Sequence, residues 1–145
     1  MTRASGARQR GFTLIEIMVV VVIIGLLAAV VTQQVFSKVD EARVSKAKQD
    51  IQALENALDI YKLQNFSYPT TEQGLQALVT KPAGADLPNY DEDGYIKRLS
   101  NDPWGHPYHY EYPGTHGKYD LYTLGADNQP GGEKFDADIG NWNLQ

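Results

Sequence analysis

The fold follows from one stretch near the start of the chain, Phe12-Thr-Leu-Ile-Glu16 continued by Ile17-Met-Val-Val-Val-Val-Ile-Ile-Gly-Leu-Leu-Ala-Ala-Val-Val31. It holds about 20 residues, roughly 30 Å as an α-helix, which is enough to cross the hydrocarbon core of a bilayer. No acidic residue precedes it, whereas three arginines do, at positions 3, 8 and 10. Basic residues favour the cytoplasmic side of a membrane, so the remainder of the chain is expected on the other side. No A-x-A pattern follows, which argues against an ordinary secretory signal.

Glu16 is the anomaly within this span. A carboxylate near the end of an apolar helix is costly in lipid unless it finds a partner. Two interpretations stay open from the residue alone. The carboxylate reaches the lipid headgroups, or it meets a positive charge on a neighbouring subunit.

Helical periodicity continues beyond the span. Apolar residues spaced mostly by three and four form one stripe at Val35, Val39, Ala42, Ala47, Ile51, Leu54, Leu58 and Tyr61. No proline interrupts positions 12–63. The pattern predicts a single helix of about 50 residues whose second half packs this stripe against a folded head.

The remaining residues predict a small α+β head. Thr70-Thr-Glu-Gln73 has the pattern of a capping box ahead of a short helix within 74–79. Asp102-Pro-Trp-Gly105 reads as a tight turn. The aromatic-rich runs 108–112 and 119–124 predict antiparallel strands joined by a hairpin loop. The expected architecture is therefore a long helix that leans on a small antiparallel sheet.

Composition narrows the function. The chain has 145 residues, no cysteine and a net charge of −5, with 13 basic and 18 acidic side chains. Absent cysteine excludes disulfides, thiolate metal sites and cysteine nucleophiles, and it leaves a small head to gain stability elsewhere, for instance from a bound metal. An acidic head does not suit nucleic acid. The histidines at 106, 109 and 116 show no clear acid partner or nucleophile motif, so they are expected on the surface or in strands rather than at a catalytic or zinc site.

A glycine-rich loop near the C-terminus gathers carboxylates at Asp127, Glu133, Asp136 and Asp138. Clustered carboxylates repel one another unless a cation neutralises them, and hard oxygen ligands suit calcium. The loop is not an EF-hand, because Gln129 and Gly131 stand where that motif offers ligands. A solvated acidic loop and a calcium site both stay open on composition.

The segment Arg10-Gly-Phe-Thr-Leu-Ile-Glu16 resembles the processing site of type IV pilins and of type II secretion pseudopilins. The resemblance implies that a prepilin peptidase cuts between Gly11 and Phe12 and methylates the new N-terminal Phe12. It also implies that Glu16 pairs with the terminal amine of a neighbouring subunit during assembly. Opposite charges attract strongly in a low-dielectric setting.

The C-terminal loop is similar to the calcium loop of the major pseudopilins. The similarity lies in Leu124-Gly-Ala-Asp127, the glycines at 131–132 and Ala137-Asp-Ile-Gly-Asn-Trp142, and the 102–105 turn is also similar to a segment of that family. It implies that Ca²⁺ is bound by the side chains of Asp127 and Asp138 and the carbonyl of Leu124, with Asp136 as a further candidate.

The resemblance implies a type IV pilin-like α+β fold in three regions. Residues 1–11 would be a cleaved leader, 12–34 the transmembrane and assembly half of the long helix, and 35–145 a periplasmic head that includes its second half. The expected protein is a single-pass, non-enzymatic component of the bacterial inner membrane.

The expected function is polymerisation with copies of itself into a pseudopilus that drives folded proteins across the outer membrane. Minor pseudopilins and an inner-membrane assembly platform would be its partners. One alternative is a pilin for motility or DNA uptake, which a basic head or a cysteine-closed loop would favour. Another, of a different class, is a membrane-anchored enzyme or calcium-binding module that uses the span as a simple anchor.

Overall fold

The computed structural model describes residues 11–145, and for residues 32–36 it describes the backbone alone. The longest element is helix α1, Leu14–Asn65, with 52 residues. The chain forms two units that divide between Lys38 and Val39. The prediction of one uninterrupted helix of about 50 residues is confirmed, as expected for a run without an internal proline.

Helix α1 ends through side-chain and backbone geometry together. The side-chain nitrogen Nδ2 of Asn65 donates to the Tyr61 carbonyl over 2.9 Å. Phe66 adopts the left-handed conformation with φ of 66°. A left-handed residue after the last helical turn is a common way for a helix to stop. Pro69 follows shortly after and cannot continue the helix.

The second half of α1 buries one face in the head. The buried residues of that face are Ala47, Ile51, Leu54, Ala57, Leu58 and Tyr61. They pack with buried tyrosines and leucines from the rest of the head to form one core. The predicted stripe therefore holds from Ala47 onward, whereas Val39 and Ala42 are exposed and the side chain of Val35 lies outside the described residues.

A short 3-10 helix, Leu75–Leu78, follows α1 and buries both of its leucines. The capping box predicted before it is present. The backbone nitrogen of Thr70 donates to Gln73 Oε1 over 2.9 Å, and the nitrogen of Gln73 donates to Thr70 Oγ1 over 3.2 Å. These reciprocal bonds close the turn at 71–74 that leads into the 3-10 helix, whose own N-cap, Gly74, makes no side-chain bond.

The sheet has three antiparallel strands in the order β1-β2-β3, with β1 at His109–Glu111, β2 at Asp120–Thr123 and β3 at Ile139–Gly140. Tyr110 lies opposite Leu121, and Thr123 lies opposite Ile139. The strands predicted in the runs 108–112 and 119–124 are confirmed with shorter bounds. Strand β3 was not predicted, since two residues are too few to show an alternating pattern.

The predicted turn at 102–105 is built around a buried carboxylate. Asp102 Oδ1 accepts hydrogen bonds from the backbone nitrogens of Trp104 and His106 at 3.0 and 2.8 Å. Its Oδ2 accepts a bond from the hydroxyl of Thr123 on β2. The turn is thereby fixed to the middle strand of the sheet.

Candidate functional site

The predicted processing bond lies in exposed chain. Gly11 is exposed, and 82% of Phe12 is accessible. A Cβ added at Gly11 would meet no atom within 4 Å. The fold itself therefore does not require glycine at this position, and any requirement for it must come from a partner that reads this segment.

Thr13 and Glu16 form a capping box at the start of α1. The backbone nitrogen of Thr13 donates to Glu16 Oε2 over 2.9 Å, and its hydroxyl donates to the same oxygen over 3.1 Å. The nitrogen of Glu16 donates to Thr13 Oγ1 over 3.3 Å. The carboxylate also lies in the first turn of the helix, where the helix dipole favours negative charge.

Sequence reasoning considered the headgroups or a neighbouring charge for Glu16, and it missed Thr13. The pattern Thr-x-x-Glu ahead of an apolar run was the available signal. The capping box gives one carboxylate oxygen of Glu16, Oε2, hydrogen-bond donors from its own chain, while the side chain stays exposed. Glu16 is thus positioned at the helix start and remains accessible to a second partner.

The segment Leu14–Val31 has the character of a membrane span. It runs for 18 residues with a mean hydropathy of 3.1, and none of it is buried by the rest of the described chain. Ile15, Met18 and Val22 line an open groove on its surface. So large an exposed apolar surface requires lipid or other protein around it.

The C-terminal loop is closed by glycines at a tight crossing of two chain segments. Gly125 has φ of 71°, and a Cβ there would lie 2.8 Å from the backbone carbon of Asp136. Gly132 has φ of 83°, and its Cβ would lie 2.4 Å from the Asp136 carbonyl oxygen. Both the left-handed backbone and the close approach demand glycine. The nitrogen of Ala126 donates across this crossing to the Phe135 carbonyl over 2.9 Å.

The predicted ligands are distributed unevenly around this loop. Asp138 is half-buried, and its Oδ2 accepts a hydrogen bond from the nitrogen of Gly131 over 3.0 Å. Asp127 is exposed, and its Oδ1 accepts from the nitrogen of Gln129 over 3.0 Å. Asp136 is exposed and Leu124 is half-buried. Of these residues, Asp138 bonds to the loop backbone at Gly131 through both its side chain and its backbone nitrogen.

A cation fits the loop on one specific observation. Asp138 Oδ1 is buried and has no hydrogen-bond partner among residues 11–145. A buried carboxylate oxygen without a partner is costly, so a bound cation would relieve it. Among the same described residues, no three acidic or histidine side chains lie close enough together to hold a metal ion by themselves. Calcium in this loop would therefore need carbonyl oxygens beside the carboxylates, a mixture that calcium accepts.

Asn141 fastens the end of the loop to β2. Its side-chain oxygen accepts from the nitrogen of Leu121 at 3.1 Å, and its amide donates to the Tyr119 carbonyl at 3.1 Å. Its backbone nitrogen donates to the Leu121 carbonyl at 3.0 Å. Sequence reasoning missed this role, because an asparagine in a polar segment gives no signal of a long-range partner.

His116 has an acid partner, which corrects the expectation drawn from the sequence. Its Nδ1 lies 2.9 Å from Asp120 Oδ2, and its ring stacks on Trp142 with centroids 3.9 Å apart. Burial alone would raise the pKa of Asp120, but hydrogen bonds from His116 and Thr115 outweigh it, so the pKa lies below its usual value. The group joins the hairpin loop to the segment after β3, which is a structural role.

The chain is similar in sequence and in fold to known proteins. The family described as type II secretion system (T2SS), protein G, matches residues 34–142, and the prokaryotic N-terminal methylation motif matches residues 6–32. The type II secretion system core protein G of Pseudomonas aeruginosa is 62% identical over 136 residues, covering 93% of this chain and 96% of the relative. The protein of the same name from Vibrio cholerae is 59% identical over 138 residues, covering 95% of this chain and 94% of the relative. The crystal structure of the major pseudopilin from the type 2 secretion system of enterohaemorrhagic Escherichia coli matches with a TM-score of 0.65 and 48% identity, over 73% of this chain and 87% of that chain.

Proposed function

The chain belongs to the protein G family of the type II secretion system and is a membrane-anchored pseudopilin subunit of that system. We propose that it builds the pseudopilus by polymerising through its N-terminal helix. The alternative of a motility or DNA-uptake pilin falls away with this membership. In the proposed cycle a prepilin peptidase removes residues 1–11 and methylates Phe12. Copies then leave the bilayer and stack, and the growing filament drives folded proteins across the outer membrane.

The observation that carries the proposal is the placement of Glu16. Its carboxylate stands at the first turn of α1, at the end of an apolar segment that nothing else in the described chain covers. After cleavage the amine of Phe12 would lie four residues before it. The amine of a second copy, offset along the filament axis, can meet the carboxylate in an apolar setting, where an ion pair is strong and its register is specific.

The capping box adds a reason for the assembly to start from an ordered helix end. Thr13 holds one carboxylate oxygen of Glu16 and leaves the other free for a second partner. A group held in place before binding loses less conformational entropy when it binds. The box would thus lower the cost of pairing with an incoming subunit.

Calcium belongs to the proposal as a stabiliser of the head. Asp138 and Asp127, together with the Leu124 carbonyl, would hold the ion, with Asp136 as a further ligand. When bound, the ion supplies positive charge that neutralises these carboxylates and ties the two ends of the loop together. The orphaned Asp138 Oδ1 supports this assignment.

The head is proposed to lie in the periplasm and to catalyse nothing. The arginines ahead of the span would hold the N-terminal side in the cytoplasm, which puts the residues after α1's apolar half on the far side. Minor pseudopilins and the inner-membrane assembly platform remain the proposed partners. A simple anchor for an enzyme or a binding module would not need a carboxylate within the span.

The test is to express the full chain in cells that make the type II secretion machinery and to shear filaments from them. The proposal expects filaments whose subunits have the mass of residues 12–145 plus one methyl group. Subunits that keep Met1, or filaments that lack this chain, would contradict it. Sheared fractions from cells without the prepilin peptidase serve as the control and should contain none.

A further inference from the structure

Asn143 braces strand β3 and the residue before it. Its side-chain Nδ2 donates to the Asp138 carbonyl over 3.0 Å, and its Oδ1 accepts a hydrogen bond from the nitrogen of Gly140 over 2.8 Å. Its backbone nitrogen donates to the Gly140 carbonyl over 3.0 Å. These bonds fix the backbone from 138 to 140, although Asn143 itself is exposed.

Asp138 is thereby held from two sides. On one side, Gly131 donates to its Oδ2 over 3.0 Å and accepts from its backbone nitrogen over 3.2 Å. On the other side, Asn143 donates to its carbonyl. Its Oδ1 is buried and has no hydrogen-bond partner among residues 11–145. The bonds therefore leave one carboxylate oxygen restrained and available, as expected of an oxygen ligand for a hard cation.

Trp142 fastens this brace to the rest of the head. Its ring lies against Gly140, where an added Cβ would stand 2.4 Å from the ring, and it stacks on His116 with centroids 3.9 Å apart. His116 is bonded in turn to strand β2. Exposed segments with few buried contacts open locally at low cost. The stack, together with Leu144 packed against the core, is what keeps Asn143 in place.

We propose that Asn143 is a positioning residue for calcium, acting through Asp138, and that the stack of Trp142 on His116 anchors it. The assignment rests on the proposed calcium site and adds to it residues that do not touch the ion. Both polar atoms of the Asn143 side chain already bond to the chain, so it orients a ligand rather than serving as one. A ligand oriented before binding loses less conformational freedom when the metal binds, which raises the affinity.

The test measures calcium affinity and stability separately, on the full-length chain in detergent micelles. Calcium is titrated calorimetrically into chelator-treated protein, and the melting temperature is recorded in chelator. Asn143→Ala should raise the Kd for calcium about 10–100-fold, the usual effect of removing the partner that orients a metal ligand. Its melting temperature in chelator should move little, because the side chain is exposed. Asn89→Ala removes an exposed asparagine from a turn elsewhere in the head and should leave both quantities unchanged.

Two results would overturn the proposal in different ways. If Asn143→Ala melts lower by the same amount in chelator and in calcium, with an unchanged Kd, the brace serves the fold alone and the calcium site stands without it. If the wild-type chain binds no calcium, the calcium site and the positioning role fail together.

Substitution at the stack gives an independent test that leaves the side chains of Asn143 and Asp138 unchanged. Trp142→Leu removes the aromatic partner of His116 and should raise the Kd for calcium several-fold. Trp142→Phe keeps a ring on His116 and should bind calcium like the wild type. Equal Kd values from these two variants would contradict the anchoring role, and the pair decides the question even where Asn143→Ala does not fold.

Discussion

At the scale of single residues, the proposed assembly depends mainly on Glu16, and Thr13 explains the position of its side chain. The sequence makes the carboxylate conspicuous, because an acid in an apolar span is costly in lipid. It is harder to see that the residue also caps its own helix, since Thr13 looks like part of the processing motif. The two roles are compatible because the box occupies one oxygen and leaves the side chain exposed.

The capping box makes a prediction about Thr13. Replacing it with valine keeps the shape but removes the acceptor for the nitrogen of Glu16 and the donor to its carboxylate. Loss of an N-cap costs about 0.5–2 kcal/mol, so filament yield from Thr13→Val should fall several-fold while insertion in the membrane is unchanged. Thr13→Ser is the matched control and should assemble as wild type. Equal filament yields from Thr13→Val and Thr13→Ser would show that the capping box does not contribute to assembly.

Asp120 makes a prediction about acid stability. Its pKa is lowered in the folded head, so its carboxylate stabilises the fold above the unfolded value of about 3.9 and loses that effect as pH falls through the lower folded value. The melting temperature of the head should therefore drop below about pH 4. In Asp120→Asn the drop should be shallower, with a lower melting temperature at neutral pH. Parallel curves for the two proteins between pH 2.5 and 6 would refute this role.

At the scale of elements, helices were more predictable than strands. The long helix follows from hydrophobic spacing without proline, and the turn before the 3-10 helix follows from the Thr70–Gln73 pattern. Strand β3 is stabilised by its pairing with β2 and by Asn141 rather than by its own two residues, so no local sequence pattern predicts it. The acid partner of His116 was missed although it stands four residues further along the chain, because the hairpin loop folds back through local bonds to Asp120 that the strand pattern does not indicate.

The C-terminal loop is the element that a cation should stabilise. A cation that binds only the folded state adds about 2.7 kcal/mol at a hundredfold excess over its Kd. For a head of this size, calcium should raise the melting temperature of residues 36–145 on the order of 10 °C over chelator, at ~4–8 °C per kcal/mol. Magnesium should do less, because it demands a stricter geometry.

Asp138→Ala should abolish the calcium response, since the orphaned Oδ1 belongs to that side chain. Glu133→Ala, which changes an exposed carboxylate of the same loop, is the matched control and should keep the response. Identical melting temperatures in calcium, magnesium and chelator would return the loop to a solvated acidic segment.

At the scale of the whole molecule, the chain combines an apolar unit that cannot remain uncovered with a head that has its own core. The bilayer-length apolar run was predicted from hydropathy alone, because such a run is recognisable without structure. The exposed apolar side of α1 near its end was not predicted. Ile60 and Leu63 follow the same helical spacing as core residues, and only the placement of the head shows which side of α1 is left exposed.

The central claim is that subunits polymerise through a charge pair made by Glu16, and filament yield from Glu16→Ala tests it most directly. Breaking a desolvated ion pair by removing one partner costs about 3–5 kcal/mol, more than about a hundredfold in an association constant. Membrane insertion and head folding should be unchanged, and Glu92→Ala, which removes an exposed carboxylate from the head, should assemble as wild type. The account predicts that Glu16→Ala is processed and inserted but yields no sheared filaments. Filaments from Glu16→Ala at the wild-type level would contradict it.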